Sequence, residues 1–293
     1  MSGHLQMPDT NKTVAMIGLG LMGTAMTQRL LEHGFKVVVW NRSPDKAEPL
    51  LAMGASWSDR PLTECSRAII SLYSSNVVRD VLQQMATDLK PGQILIDTTT
   101  GEPSDAESMC QLLANRGIEY LDAPISGSSD QTRRGDAIVM VGGARKTFDA
   151  CADLWSILGK SVFYTGDSGS AAKMKLVSNL VLGLNRAALA EGLTYAAAMG
   201  VAPEAALEIL KSSAAYSRAM DIKGQKMLTG DFSVQARLSQ HLKDVRIIIE
   251  SAARTGLTLP LSQVHRELLE HCEQLGLGDL DNSAIIRAFD QQK

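Results

Sequence analysis

The run VAMIGLGLMGTAMTQRLLEHG, residues 14 to 34, constrains the fold more than any other stretch of the chain. Its four leading apolar residues have the length of a buried strand; Gly18, Gly20 and Gly23 follow, and then a helical pattern of apolar positions. Gly34 closes that helix, and FKVVVW at 35 to 40 reads as a second buried strand. Strand, glycine turn, helix and strand within residues 14 to 40 make a right-handed βαβ unit.

The three glycines are spaced G-x-G-x-x-G. In that spacing the first permits a tight turn, the second lets backbone approach a pyrophosphate, and the third lets the helix pack closely on its strand. Amides around Leu19, Leu21 and Met22, with the positive end of the helix dipole, would then face the phosphates. A glycine-rich turn without a ligand is the plain alternative; the flanking strand and helix favour a dinucleotide site. At the end of the second strand an NAD site carries an acid for the ribose 2′-hydroxyl, but here stand Asn41, Arg42 and Ser43. Arginine forks onto a 2′-phosphate, so the expected cofactor is NADP(H), with NAD(H) use left open. Read structurally, Arg42 is instead a solvated charge in a loop.

Strand-like runs recur at 68 to 73, 93 to 100, 118 to 127 and 136 to 143, with helical stretches between several of them. The alternation predicts a Rossmann-type, doubly wound α/β domain. Open parallel sheets bind ligands beyond the carboxyl ends of their strands, which places Ser74, Ser75, Thr98, Thr99 and Thr100 around the cofactor. Hydroxyls that merely cap loops are the competing reading.

At 293 residues the chain suits two domains rather than one core. A net charge of -3 with scattered basic residues offers no stripe for a phosphate backbone, so nucleic acid is not an expected partner. The apolar runs all fall short of the roughly 20 residues that span a bilayer, and no membrane association is expected. MSGHLQMPDTNK lacks an apolar signal core and reads as a flexible polar tail, residues 1 to 12. Four widely spaced cysteines, without a CxxC, suit the reducing cytoplasm and argue against a zinc site.

Residues 174 to 198 read as a long helix, apolar on most sides and therefore buried between domains, ending at Gly200 before Pro203. On it Lys175 and Asn179 are i and i+4 and share a face, Arg186 falls roughly in line, and Lys173 lies about 200° away from Lys175. Burial lowers a lysine's pKa towards the range a general acid or base needs. A lysine that snorkels at a helix start is the bland alternative for both.

Taken together, IGLGLMG, DTTT, DAPISGS, GDAIVMVGG, KLVSN, LKDV and GDLDNSA resemble the β-hydroxyacid dehydrogenases over residues 13 to 290. That family includes 3-hydroxyisobutyrate dehydrogenase, tartronate semialdehyde reductase and the glyoxylate/succinic semialdehyde reductases. The resemblance implies an NADP-binding Rossmann-type domain at 13 to 168, a long interdomain helix, and an all-helical substrate and dimerisation domain at 169 to 293. It implies a homodimer or homotetramer. It implies Lys175 as the catalytic residue with Asn179 beside it, Ser126 and Gly127 as holders of a substrate carboxylate, and Lys243 near the cofactor with Asp244 next to it. His241, two residues from Lys243, should face elsewhere and is read as structural.

The chain departs from the family pattern at Ser128, where a second glycine is usual, and at Thr132 and Ala137. The Ser128 hydroxyl is expected to read a polar or bulkier substrate. The reaction expected is hydride transfer between nicotinamide and a small carboxylate-bearing β-hydroxy acid, or its aldehyde or ketone. Imine reduction on the same scaffold is the alternative. A non-catalytic NADP(H)-binding protein is a weaker one, since a relative of that kind has methionine where this chain has Lys175.

Overall fold

A computed structural model describes residues 12–290. The tail expected over residues 1 to 12 thus lies, Lys12 apart, outside the described residues. The chain forms two compact units, Met1–Ala172 and Lys173–Lys293.

The apolar runs of the first unit become a sheet of nine strands among the described residues. β1 (Thr13–Ile17) pairs in parallel with β2 (Lys36–Trp40), Ala15 opposite Val38, and the helix Leu21–Glu32 joins them. β3 (Ser56–Trp57) lies outside β2, while β4 (Arg67–Ile70), β5 (Ile94–Asp97) and β6 (Glu119–Asp122) extend the parallel sheet on the other side of β1. Alternate residues of each strand point to opposite faces. Val14, Met16, Val37, Val39, Ile69 and Ile96 therefore enter one core, and Ala15, Ile17, Val38, Ala68, Ile70 and Leu95 enter another. Covering both faces is what turns these runs into uninterrupted apolar sequence.

Beyond β6 the sheet stops being purely parallel. Pro124 separates β6 from the short β7 (Ile125–Ser126), and β8 (Ile138–Gly142) runs antiparallel to both. β9 (Ser161–Gly166) then pairs in parallel with β8. β1 has β2 on one side and β4 on the other, so the strand order reverses there, and ligands of open α/β sheets bind beyond the carboxyl ends at such a reversal.

The long helix is Ser170–Ala198, starting four residues earlier than the apolar pattern suggests. It is not buried all round within this chain. Lys175, Leu176, Asn179, Arg186, Leu189, Ala190 and Leu193 are buried, whereas Met174, Val177, Val181, Leu182 and Tyr195 are exposed. Among the described residues those outer apolar side chains stay exposed, which an apolar composition alone does not reveal.

The second unit packs the helices Pro203–Ser212, Arg218–Thr229, Leu238–Arg254 and Pro260–Gln274 with a 3-10 segment Asn282–Phe289. Pro203 and Pro260 stand in the first turns of their helices, where a missing N–H costs nothing. Leu193, Leu207, Met227, Leu242, Leu269 and Ile285 belong to the core. One ion pair is sealed inside this unit: Lys223 Nζ lies 2.8 and 2.9 Å from the two oxygens of Asp281. Asp281 also accepts from the amides of Gln235, Ala236 and Ser283 and from the Ser283 hydroxyl. Among the described residues no helix is long and apolar enough to cross a membrane.

Candidate nucleotide and active site

In the first unit the glycine turn shows three different constraints. Gly18 has φ 101°, and a Cβ on it would lie 2.3 Å from the Ser71 carbonyl oxygen. A Cβ on Gly23 would lie 1.9 Å from the Gly18 oxygen, so the helix start is pressed against the turn. A Cβ on Gly20 would meet nothing within 4 Å. Gly18 and Gly23 are therefore glycines for the protein's own packing, and Gly20 borders open space. Gly20 also precedes the helix Leu21–Glu32, whose first turn has no side-chain cap. Uncapped amides at a helix start, beside an open backbone cradle, fit a pyrophosphate.

Leu21 is exposed and Met22 half-buried at that helix start, but Leu19 is buried and its amide is already used. The Leu19 N–H donates to Asn41 Oδ1 at 2.9 Å, and Asn41 Nδ2 donates to the Ser43 carbonyl at 3.0 Å. Asn41 thus ties the glycine turn to the end of β2, a structural task that residue-type reasoning at the selector position does not foresee. Arg42 and Ser43 are exposed, and Arg42 makes no ion pair or hydrogen bond among the described residues. An NADP(H) molecule at this turn would meet Arg42 as an uncommitted cation.

The hydroxyl residues divide. Ser74 caps the helix Ser75–Gln84, accepting from the Val77 amide. Thr98 Oγ1 donates to the Ile70 carbonyl at 2.8 Å, and Thr99 Oγ1 accepts from the Leu72 amide at 3.1 Å. These bonds hold the loops after β4 and β5 together. Ser75 opens that helix and Thr100 follows β5, both half-buried.

In the second unit burial separates the two lysines. Lys173 is exposed and Lys175 is 8% exposed. Burial pushes the Lys175 ammonium down from its ordinary 10.5 to about 8; Asp244 opposes the shift and Lys243 adds to it. Asn179 Nδ2 donates to Asp244 Oδ2 at 2.9 Å, and Lys243 Nζ lies 3.1 Å from Asp244 Oδ1. Asp244 is itself held above the ordinary carboxylate range by burial. The helices Ser170–Ala198 and Leu238–Arg254 thereby bring Lys175, Asn179, Lys243 and Asp244 into one electrostatic cluster. His241 is buried with its ring centroid 5.2 Å from that of His265, and near enough to Lys175 for that ammonium to add to the lowering of its pKa by burial.

A family model described as the NAD binding domain of 6-phosphogluconate dehydrogenase matches residues 13–166, and one described as NAD-binding of NADP-dependent 3-hydroxyisobutyrate dehydrogenase matches residues 169–289. Glyoxylate/succinic semialdehyde reductase 1 of Arabidopsis thaliana is 32% identical over 94% of this chain and 97% of its own length. The chain belongs to the β-hydroxyacid dehydrogenase family. The crystal structure of 3-hydroxyisobutyrate dehydrogenase from Salmonella typhimurium is similar with a TM-score of 0.87 at 25% identity, covering 94% of this chain and 99% of that one. The cytokine-like nuclear factor N-PAC of Homo sapiens is 29% identical over 96% of this chain, which spans about half, 52%, of that relative's length.

In this member of the β-hydroxyacid dehydrogenase family the segment DAPISGS has two distinct parts. Ser126 ends β7, half-buried, and Gly127 is exposed, where a Cβ would come within 3.0 Å of Ala137 Cβ. Ser128 has a second task. Its Oγ accepts from the Gln131 amide at 3.2 Å while Gln131 Oε1 accepts from the Ser128 amide at 2.9 Å, a reciprocal cap on the helix Ser129–Arg134. The hydroxyl expected to read the substrate thus also caps a helix, a role that the spacing S-x-x-Q could have revealed. Buried Thr132 continues the arrangement, donating to the Ser128 carbonyl at 3.0 Å.

Two carboxylates went unnoticed in the sequence. Asp97 and Asp122 end β5 and β6 in register with each other. Asp122 accepts from the amides of Gly169 and Ala172 at 2.9 and 3.0 Å and so caps the start of the long helix; burial raises its pKa. Asp97 accepts from the Tyr120 hydroxyl at 2.8 Å and the Thr99 amide at 2.9 Å, and burial pushes it up to about 6. Each closes a strand just where LIDT and YLDA turn from apolar to polar, which is the signal they leave in the sequence.

Proposed function

We propose that the chain is an NADP(H)-dependent oxidoreductase acting on a small carboxylate-bearing β-hydroxy acid, or on the matching aldehyde or ketone. The observation that carries the reading is Lys175, a buried ammonium with its pKa brought to about 8 beside Asn179, Lys243 and Asp244. A group with that pKa exists in both protonation states near neutrality, as a reversible acid and base requires. Bound nicotinamide supplies the hydride. Lys175 donates a proton to the carbonyl oxygen in reduction and takes one from the hydroxyl in oxidation. Asn179, fixed by Asp244, orients it, and Ser126 with the Gly127 amide holds the carboxylate.

The preference for NADP(H) rests on exposed Arg42 at the end of β2 and on the NADP-dependent enzyme named by the second family model. Unpaired cysteines at positions 65, 110, 151 and 272 suit the cytoplasm. A non-catalytic NADP(H)-binding role is the weaker alternative, and the buried Lys175 weighs against it. The test is NADPH and NADH consumption at matched concentrations with glyoxylate, succinic semialdehyde, tartronate semialdehyde and bulkier β-keto acids. At least one should turn over with NADPH favoured about tenfold or more in kcat/KM, and Arg42→Ala should erase that preference. Nucleotide binding without turnover of any of them would sink the dehydrogenase reading.

A further inference from the structure

The helical unit contains a second cluster of basic side chains that the proposed reaction does not use. Gly183 and Arg186 are i and i+3 on the long helix and so share a face. Two rings lie against that face at Gly183: a Cβ there would come within 2.6 Å of His241 Nε2 and of His265 Cε1. Arg186 is 3% exposed, His241 7% and His265 2%. Arg186 Nε, one of its terminal nitrogens (Nη2), His241 Nε2 and His265 Nε2 are all buried without a hydrogen-bond partner among the described residues. Nε and Nη2 form the side-on fork with which arginine grips an anion.

Buried polar groups are almost always satisfied, and a buried guanidinium needs a counter-charge. The acid that acts most on Arg186 is Asp281. Both Asp281 oxygens are already occupied, by Lys223 and by the 235–236 and 283 donors. Asp244 is taken by Asn179 and Lys243. Burial keeps both imidazoles neutral, His265 at about 4 and His241 well below its ordinary range, so each can offer one N–H without adding charge. Among the described residues, the one acid that acts on Arg186 and the other buried carboxylate near this face are thus both committed to other donors.

We infer that Arg186, His241 and His265 form an internal binding site for a small monovalent anion, a halide or a formate-sized carboxylate, in the helical unit. The site is independent of the dehydrogenase reading. It links the stability of the unit to anions that bind the folded chain alone.

The full chain is unfolded thermally in sodium chloride, sodium formate and sodium gluconate at equal ionic strength, and crystals are soaked in sodium bromide. The expected result is a saturable Tm rise of about 3 °C or more in chloride or formate over gluconate, absent from Arg186→Met. An anomalous bromide peak should lie beside the Arg186 guanidinium. A larger effect of formate assigns the site to carboxylates and a larger effect of chloride to halides, and either supports it. If Arg186→Met does not fold, the salt series and the bromide peak on the native chain decide together. Equal Tm values in the three salts overturn the site, leaving water on Arg186 when no peak appears and binding at crystal concentration only when one does.

Discussion

At the scale of the residue, Lys175 is the position where chemistry and stability pull against each other. Its pKa falls from 10.5 to about 8 because burial disfavours the ammonium. The folded chain therefore binds fewer protons than the unfolded one between those values, and stability rises with pH across that window. The full difference corresponds to about 3 kcal/mol. Lys175→Met should remove the penalty, raising Tm near pH 7, while lowering kcat by about 10²- to 10⁴-fold. Under the proposed reaction, carbonyl reduction, which consumes the ammonium, should decline as pH rises through about 8, and oxidation should climb over the same interval. A pH–rate profile in both directions, alongside calorimetry of the variant, checks this; flat profiles around pH 8 would remove Lys175 from the proton transfer.

At the scale of the element, the glycine turn separates folding from binding within six residues. Gly23→Ala drives a methyl to 1.9 Å from the Gly18 carbonyl, so it should lower Tm by several degrees. Gly20→Ala has open space in the protein and an extended backbone that alanine tolerates, so it should fold normally and weaken NADPH by about tenfold or more. Fluorescence titration with NADPH and a melting curve for each variant distinguish the two, and native-like affinity in Gly20→Ala would show that the pyrophosphate does not lie there. This turn was legible in the sequence because its demands are local: spacing, strand and helix lie within one run. Angular position on a helix likewise set Lys175 and Lys173 on different faces, and the resemblance chose between them. Asn41 on the Leu19 amide, Asp122 on the Gly169 and Ala172 amides, and the two imidazoles over Gly183 were not legible. Each joins residues distant in the chain, and no periodicity encodes which buried donor meets which acceptor. The capping role of Ser128 was missed for the opposite reason, since a capping box is local but looks like any hydroxyl in a binding loop.

At the scale of the whole molecule, the alternation of strands and helices made the α/β class predictable, and the helical second unit came from the resemblance. The antiparallel β8 and the exposed side of the long helix were not, because both depend on what the chain does after Pro124 and on what covers Val177. Met174, Val177 and Val181 repeat at helical spacing and stand 46%, 55% and 51% exposed. Such a stripe suits a second copy of the chain, in line with the oligomer expected from the resemblance. Val181→Lys should then convert a dimer into a monomer in size-exclusion chromatography with light scattering, whereas an unchanged mass would place any interface elsewhere. The buried Lys223–Asp281 pair bears on how the chain is made. Asp281 follows Lys223 by 58 residues, so until the segment around Asp281 has been added Lys223 has no counter-charge and the 235–236 amides have no acceptor. The helical unit therefore cannot close before Asp281 has been added, and a fragment that stops short of it would carry a buried ammonium with nothing to neutralise it.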